Sequence, residues 1–248
     1  MNESLTMSQI LLWAVLPYVT IAVFVVGTLW RYKYDKFGWT TRSSQLYERK
    51  LMRVASPLFH IGILAVVAGH VIGLVIPEQW TTWMPETGYH IMAVVLGIIA
   101  GACTLTGVVL LLYRRRTNGP VFSATTSNDK FMYVFLVAAI CLGLITTFYG
   151  SGIFGHAYNY RDTVSVWFRS IFYLQPHIED MAEAPLSYRV HAVAGMLLFM
   201  IWPFTRLVHA FSAPVGYLFR PYVVYRDRGS APTVGTRAPR RGWEKIGQ

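Results

Sequence analysis

Four histidines lie inside apolar stretches of this chain: His60, His70, His191 and His209. An ionisable side chain in such a stretch is costly to bury and is a functional candidate by default. Imidazole can carry protons, ligate a metal or hydrogen-bond between helices. The spacings narrow the choice. On an α-helix ten residues rise about 15 Å, and eighteen rise about 27 Å over five full turns. His60 and His70 are then offset by roughly 80° around one helix, whereas His191 and His209 point the same way on another. Zinc fits poorly, because neither level adds a Cys or carboxylate ligand. The remaining readings are hydrogen bonds between helices or axial ligation of iron.

The elements that must position these side chains are membrane helices. Of 248 residues, 54% are hydrophobic and only 14% charged, against about 25% charged in a soluble domain. Five stretches are long and apolar enough to cross a bilayer: residues 10–30, 55–76, 89–113, 131–154 and 190–211. Pro17 and Pro203 fall inside spans and are expected to bend them, provided the freed carbonyls find other donors. Residues 164–174 read as a helix lying along the surface. No positive n-region precedes the first apolar stretch, since residues 1–9 carry Glu3 and no Lys or Arg. That stretch is expected to stay as a span.

Charge sets the orientation. The net charge is +10, but the basic residues cluster between spans, which argues against a nucleic-acid-binding surface. The first connection carries Arg31, Lys33, Lys36, Arg42, Arg49, Lys50 and Arg53, and the third carries Arg114, Arg115, Arg116 and Lys130. The second, around residues 77–88, has no Lys or Arg, and the fourth balances few arginines against acidic residues. The positive-inside rule then predicts an all-α bundle of five spans with the N-terminus outside and the C-terminus cytoplasmic. The domain reading is a membrane domain over residues 1–219 and a basic cytoplasmic tail over residues 220–248. Cys103 and Cys141 sit in apolar stretches without metal-site spacing.

This topology decides the pairing. Span two runs outward and span five inward, so His60 lies level with His209 near the inner face, and His70 with His191 near the outer face. Two bis-imidazole sites stacked across a membrane suit two b-type haems with no open coordination position, an arrangement for electron transfer. Gly73 and Gly195 follow ligands at helical spacing and are expected to give a macrocycle clearance. Arg206 and Arg189 are placed to meet haem propionates, or to snorkel to the interface. His156 and His177 belong to the outer connection and read as solvated.

Residues 56–73 (SPLFHIGILAVVAGHVIG), 107–116 (GVVLLLYRRR) and 189–222 (RVHAVAGMLLFMIWPFTRLVHAFSAPVGYLFRPY) resemble the gamma subunit of respiratory nitrate reductase. The resemblance runs nearly to Tyr225. It implies a prokaryotic plasma (inner) membrane protein with a proximal haem on His60 and His209 and a distal haem on His70 and His191. It further implies that quinol, either menaquinol or ubiquinol, is oxidised near the distal haem beside Gly69. Electrons would pass inward to an iron–sulfur beta subunit and a molybdenum alpha subunit on the cytoplasmic side. The chain departs from the family where a lysine near the start of span three serves the quinol site, since none lies between Lys50 and Lys130. Tyr89 and His90 stand in that neighbourhood as candidate polar contacts, or as plain interfacial anchors. No nitrate reduction is expected of this chain alone. The alternatives are the dihaem subunit of another quinone-linked reductase, such as a sulfite-reductase-associated complex, and a haem-free transporter or anchor.

Overall fold

The computed structural model describes residues 5–35, 38–39, 44–153 and 157–212. The tail expected from residue 220, along with Lys36, Arg42 and His156, lies outside the described residues. Among the described residues there are helices and no strands. Five helices are long and apolar enough to cross a membrane: span one Met7–Tyr34, span two Met52–Val75, span three Glu86–Thr117, span four Ser127–Gly150 and span five Leu186–Phe204. Large apolar side chains such as Leu64 and Val134 are about two-thirds exposed on their outer faces. A bilayer solvates such a surface, whereas water would leave a monomer with an oversized apolar patch.

Spans two and three form the tightest seam. A Cβ on Gly62 would come 2.6 Å from Thr104 Oγ1, and one on Gly107 would come 2.5 Å from the Phe59 backbone nitrogen. Only glycine lets the two backbones approach so closely, the usual device where lipid supplies no hydrophobic drive between helices. Spans three and four, four and five, and five and one also pack, so the order around the bundle is two, three, four, five, one. Spans two and five do not form such a seam, yet they face each other across the histidines.

The two prolines act differently. Pro17 has no N–H to donate to the carbonyl four residues back, on Trp13. That carbonyl accepts from Trp167 Nε1 at 2.8 Å instead, and the preceding turn widens to a π-turn over Leu11–Val15. Trp167 sits on the surface helix Val164–Phe172, whose buried side also presents Val164, Ser165, Ser170 and Ile171. Its ring meets that of Trp13 edge-on at 5.8 Å. We expect Trp167→Phe, which keeps the packing but removes the donor, to cost about 1–3 kcal/mol through the orphaned carbonyl. Thermal denaturation in detergent measures this, and an unchanged midpoint would show that the carbonyl has another donor.

Pro203 breaks its helix rather than bending it. The α-helix stops at Ile201, a 3-10 turn covers Trp202–Phe204, Thr205 is extended, and a second 3-10 turn covers Arg206–Ala210. The continuous helix expected over residues 190–211 is therefore corrected, and His209 sits on a separate turn. Pro203 cannot donate, so Trp202 N–H takes the Phe199 carbonyl. Arg31 Nη1 holds the Pro203 carbonyl at 2.9 Å.

The third connection also departs from expectation. Arg114 and Arg115 are not surface charges but are 2% and 8% exposed. Arg114 donates to Glu48 Oε2 at 2.7 Å, to Ser44 Oγ at 2.8 Å and to the Ser44 and Glu48 carbonyls at 2.7 Å each, pinning the first connection. Arg115 binds Tyr133 and Thr125. Arg116 alone of the three is exposed.

Candidate haem-binding centres

His60 and His70 share the continuous α-helical part of span two, Met52–His70, so their vertical separation is about 15 Å. His60 Nδ1 lies 2.7 Å from the Ser56 carbonyl, and His70 Nδ1 lies 2.8 Å from that of Val66. A carbonyl only accepts, so each Nδ1 carries the proton and each Nε2 is left as the free donor atom. His209 is fixed likewise, with Nδ1 2.6 Å from the Arg206 carbonyl. Partners of this kind set the tautomer and ring direction of metal-ligating histidines. His191 differs. Its Nδ1 is buried without a partner, and its ring is held from span four, by a hydrogen bond to the Ala139 backbone and by close packing on Gly143, where a Cβ would come 3.0 Å from Cε1.

Across the bundle the rings meet in level pairs. The centroids of His60 and His209 are 6.0 Å apart, and those of His70 and His191 are also 6.0 Å apart, with planes at 72° and 45°. Two imidazoles on opposite sides of one metal, each with its nitrogen about 2 Å away, have centroids about 6 Å apart. The observed separation therefore fits an axial pair. Among the described residues no group of three or more His, Cys, Asp or Glu side chains gathers as a metal site. Each level offers two imidazole nitrogens, a pair that would suit a haem.

The neighbouring candidates divide. Gly195 and Gly69 face open space. Gly73 does not, because a Cβ there would meet the Tyr160 hydroxyl at 2.6 Å, so this glycine makes room for a tyrosine. It lies in a second π-turn, Val71–Val75, directly after His70. Arg206 grips Asp129 with two nitrogens, Nε to Oδ1 at 2.6 Å and Nη2 to Oδ2 at 3.1 Å. Arg189 has a buried Nε without a partner. Tyr89 is buried under the guanidinium of Arg161, 4.1 Å above its ring, and His90 Nε2 lies 3.2 Å from the Ser151 carbonyl. Both line a cavity of about 550 Å³ whose lining does not include Gly69 or His70. Asp129, Gly143 and Tyr160 were missed by sequence reasoning. Only Asp129 carried a local signal, three residues after the capping Thr126.

Residues 9–228 match the family described as nitrate reductase gamma subunit. The chain belongs to that family. It is 41% identical over 224 residues to the nitrate reductase gamma chain of Bacillus subtilis, covering 90% of this chain and 100% of that one. It is 36% identical over 217 residues to the respiratory nitrate reductase 1 gamma chain of Escherichia coli, covering 86% and 94%. The nitrate reductase-like protein NarX of Mycobacterium tuberculosis is 64% identical over 235 residues, 94% of this chain but 36% of that protein. The chain thus spans about a third of the length of this last relative. As a gamma-subunit family member with five apolar spans, it is a multi-pass bacterial membrane protein.

Proposed function

We propose that this chain is the dihaem cytochrome b subunit of a respiratory nitrate reductase, oxidising quinol near the outer face and passing electrons inward. The observation that carries the reading is the pair of level imidazole pairs, each at 6.0 Å, on two facing spans of a gamma-subunit family member. His60 and His209 would hold the proximal haem, and His70 and His191 the distal one. When bound, each haem supplies a one-electron couple; the chain supplies ligands, tautomers and an apolar wall. The alternation of basic and non-basic connections supports an N-terminus outside and the His60 level on the cytoplasmic side. Iron–sulfur and molybdenum subunits would dock there, chiefly on the first connection, Arg116 and the basic tail.

Quinol would enter beside Gly69, whose open flank leaves room for a ring next to His70. His90 and Tyr89 are the polar groups we assign to its oxygens. The test is to purify the chain with whatever subunits accompany it and to add a quinol analogue. A reduced b-type spectrum with quinol and with dithionite, together with a co-purifying molybdenum subunit, is the expected result. No haem absorbance, or haem that only dithionite reduces, would refute the proposal. In His90→Ala and Tyr89→Phe variants that keep both haems, quinol-driven reduction should slow while dithionite reduction is unaffected. Wild-type rates in both, and in the double variant, remove these two residues from the site.

A further inference from the structure

The cavity lined by Tyr89 and His90 holds polar groups that ligand binding to the histidines does not use. Arg161 is 6% exposed, and its Nη2 is buried without a hydrogen-bond partner. Its Nη1 donates to Thr81 Oγ1 at 2.8 Å, and its guanidinium lies over Tyr89. Tyr160 is hydrogen-bonded to Tyr89, and its hydroxyl also fills the space over Gly73, one helical turn beyond His70. On the far side, Glu78 hydrogen-bonds Asp162. Burial changes in order along this line: Tyr89 is buried, Glu78 half-buried and Asp162 exposed.

We propose that this cavity is the route by which protons leave the quinol site, from the Tyr160 hydroxyl through Tyr89, past Arg161, to the Glu78–Asp162 carboxyl pair at the outer surface. The proposal rests on the quinol-oxidising reading above. Oxidation of one quinol breaks two O–H bonds and forms two carbonyls. Two electrons leave singly for the haem couples of that reading, and two protons must leave by another path. Tyr160 accepts a proton on its oxygen as it hands its own to Tyr89, and Tyr89 hands its own to water in the cavity that reaches Glu78, so neither phenol has to ionise. That suits Tyr160, whose hydroxyl is pushed well above the ordinary tyrosine range by burial and then by its Tyr89 neighbour. The buried cation of Arg161 repels a proton beside it, so protons pass through the cavity and not through the guanidinium.

The carboxyl pair is placed to share a proton. Burial raises Glu78, its hydrogen bond and charge repulsion with Asp162 raise it further, Arg161 lowers it and Glu86 raises it. The other titratable groups of the cavity are Tyr89 and His90 from span three and Tyr158 and Tyr160 from the fourth connection. The hydrogen bond between the two carboxyls lets the pair take a proton from the cavity on one side and give one to water on the other.

The experiment compares wild type, Glu78→Gln and Tyr160→Phe in the complex as purified. It measures quinol-driven reduction against pH, and the infrared signal of a protonated carboxyl during turnover. We expect Glu78→Gln to lose that signal and to slow quinol oxidation by about 100-fold, the low end for a positioned acid–base group. Added formate, a small diffusible acid, should restore part of the rate, and dithionite reduction should not change. Tyr160→Phe keeps the ring over Gly73 and should slow quinol oxidation while leaving the carboxyl signal of the resting protein intact. Wild-type rates and pH profiles in both variants overturn the exit route and leave the quinol reading standing. A wild-type complex that does not oxidise quinol overturns both.

Discussion

Replacing His70 or His191 with alanine is expected to leave the purified protein with one haem b per chain instead of two, and the survivor should be the inner one. His60→Ala and His209→Ala should do the reverse. The expectation follows from depth. The level partners stand 6.0 Å apart, whereas a crossed partner is displaced by about ten residues of helix, some 15 Å. One iron cannot bridge that distance, so each variant would remove one ligand from one proposed site and none from the other. Haem extraction counts the loss, and redox titration of what remains identifies the site. The two members of the His70–His191 pair should not respond equally to milder changes. His70 is tethered by its Nδ1–H to the Val66 carbonyl of its own helix, while His191 Nδ1 has no partner and its ring leans on Ala139 and Gly143 of span four. Depletion of the same haem by His60→Ala and His191→Ala would sink the pairing.

The spans and the histidine levels were readable in the sequence because both depend on strong local signals. Some 20 apolar residues have few alternatives to a membrane helix, and opposite helix directions place ligands by arithmetic. What escaped were interactions between residues far apart along the chain. Pro17 announces a freed carbonyl, but nothing near it names Trp167, more than 150 residues away, as the donor. Pro203 was read as a bend, because composition alone does not reveal that Thr205 turns extended and begins a separate turn. His209 nevertheless reaches the level of His60, since the 3-10 turns, with their longer rise of about 2 Å per residue, carry the chain on in the same direction. The run Arg114–Arg116 looked like surface charge, yet Glu48, Ser44 and Tyr133 draw its first two members into the protein. Arg206 looked free for a propionate until Asp129 appeared opposite it.

That pair yields the second large effect. Asp129 is nearly buried, with its side chain 6% exposed against 23% for Arg206. It serves two elements at once. At the start of span four its Oδ2 accepts from the Thr126 backbone N–H at 3.0 Å, while Thr126 Oγ1 accepts from the Asp129 N–H at 3.1 Å, a reciprocal cap. Its two oxygens also hold Arg206, whose backbone carbonyl fixes the tautomer of His209. Asp129→Ala would remove the cap, leave a partly buried guanidinium without a counter-ion and loosen the turn that presents His209. Breaking such a pair from one side costs about 3–5 kcal/mol. We expect the loss to appear first at the inner site, as a preparation depleted of the His60–His209 haem with the outer haem largely retained. Asp129→Asn keeps an oxygen for the cap but not the charge, and should fall between alanine and wild type in both haem retention and melting temperature. Arg206→Lys separates the two roles from the other side: the charge stays, the two-pronged grip is lost and the cap is untouched. Equal retention of both haems in Asp129→Ala, with an unchanged melting temperature, would show that His209 is positioned without this ion pair.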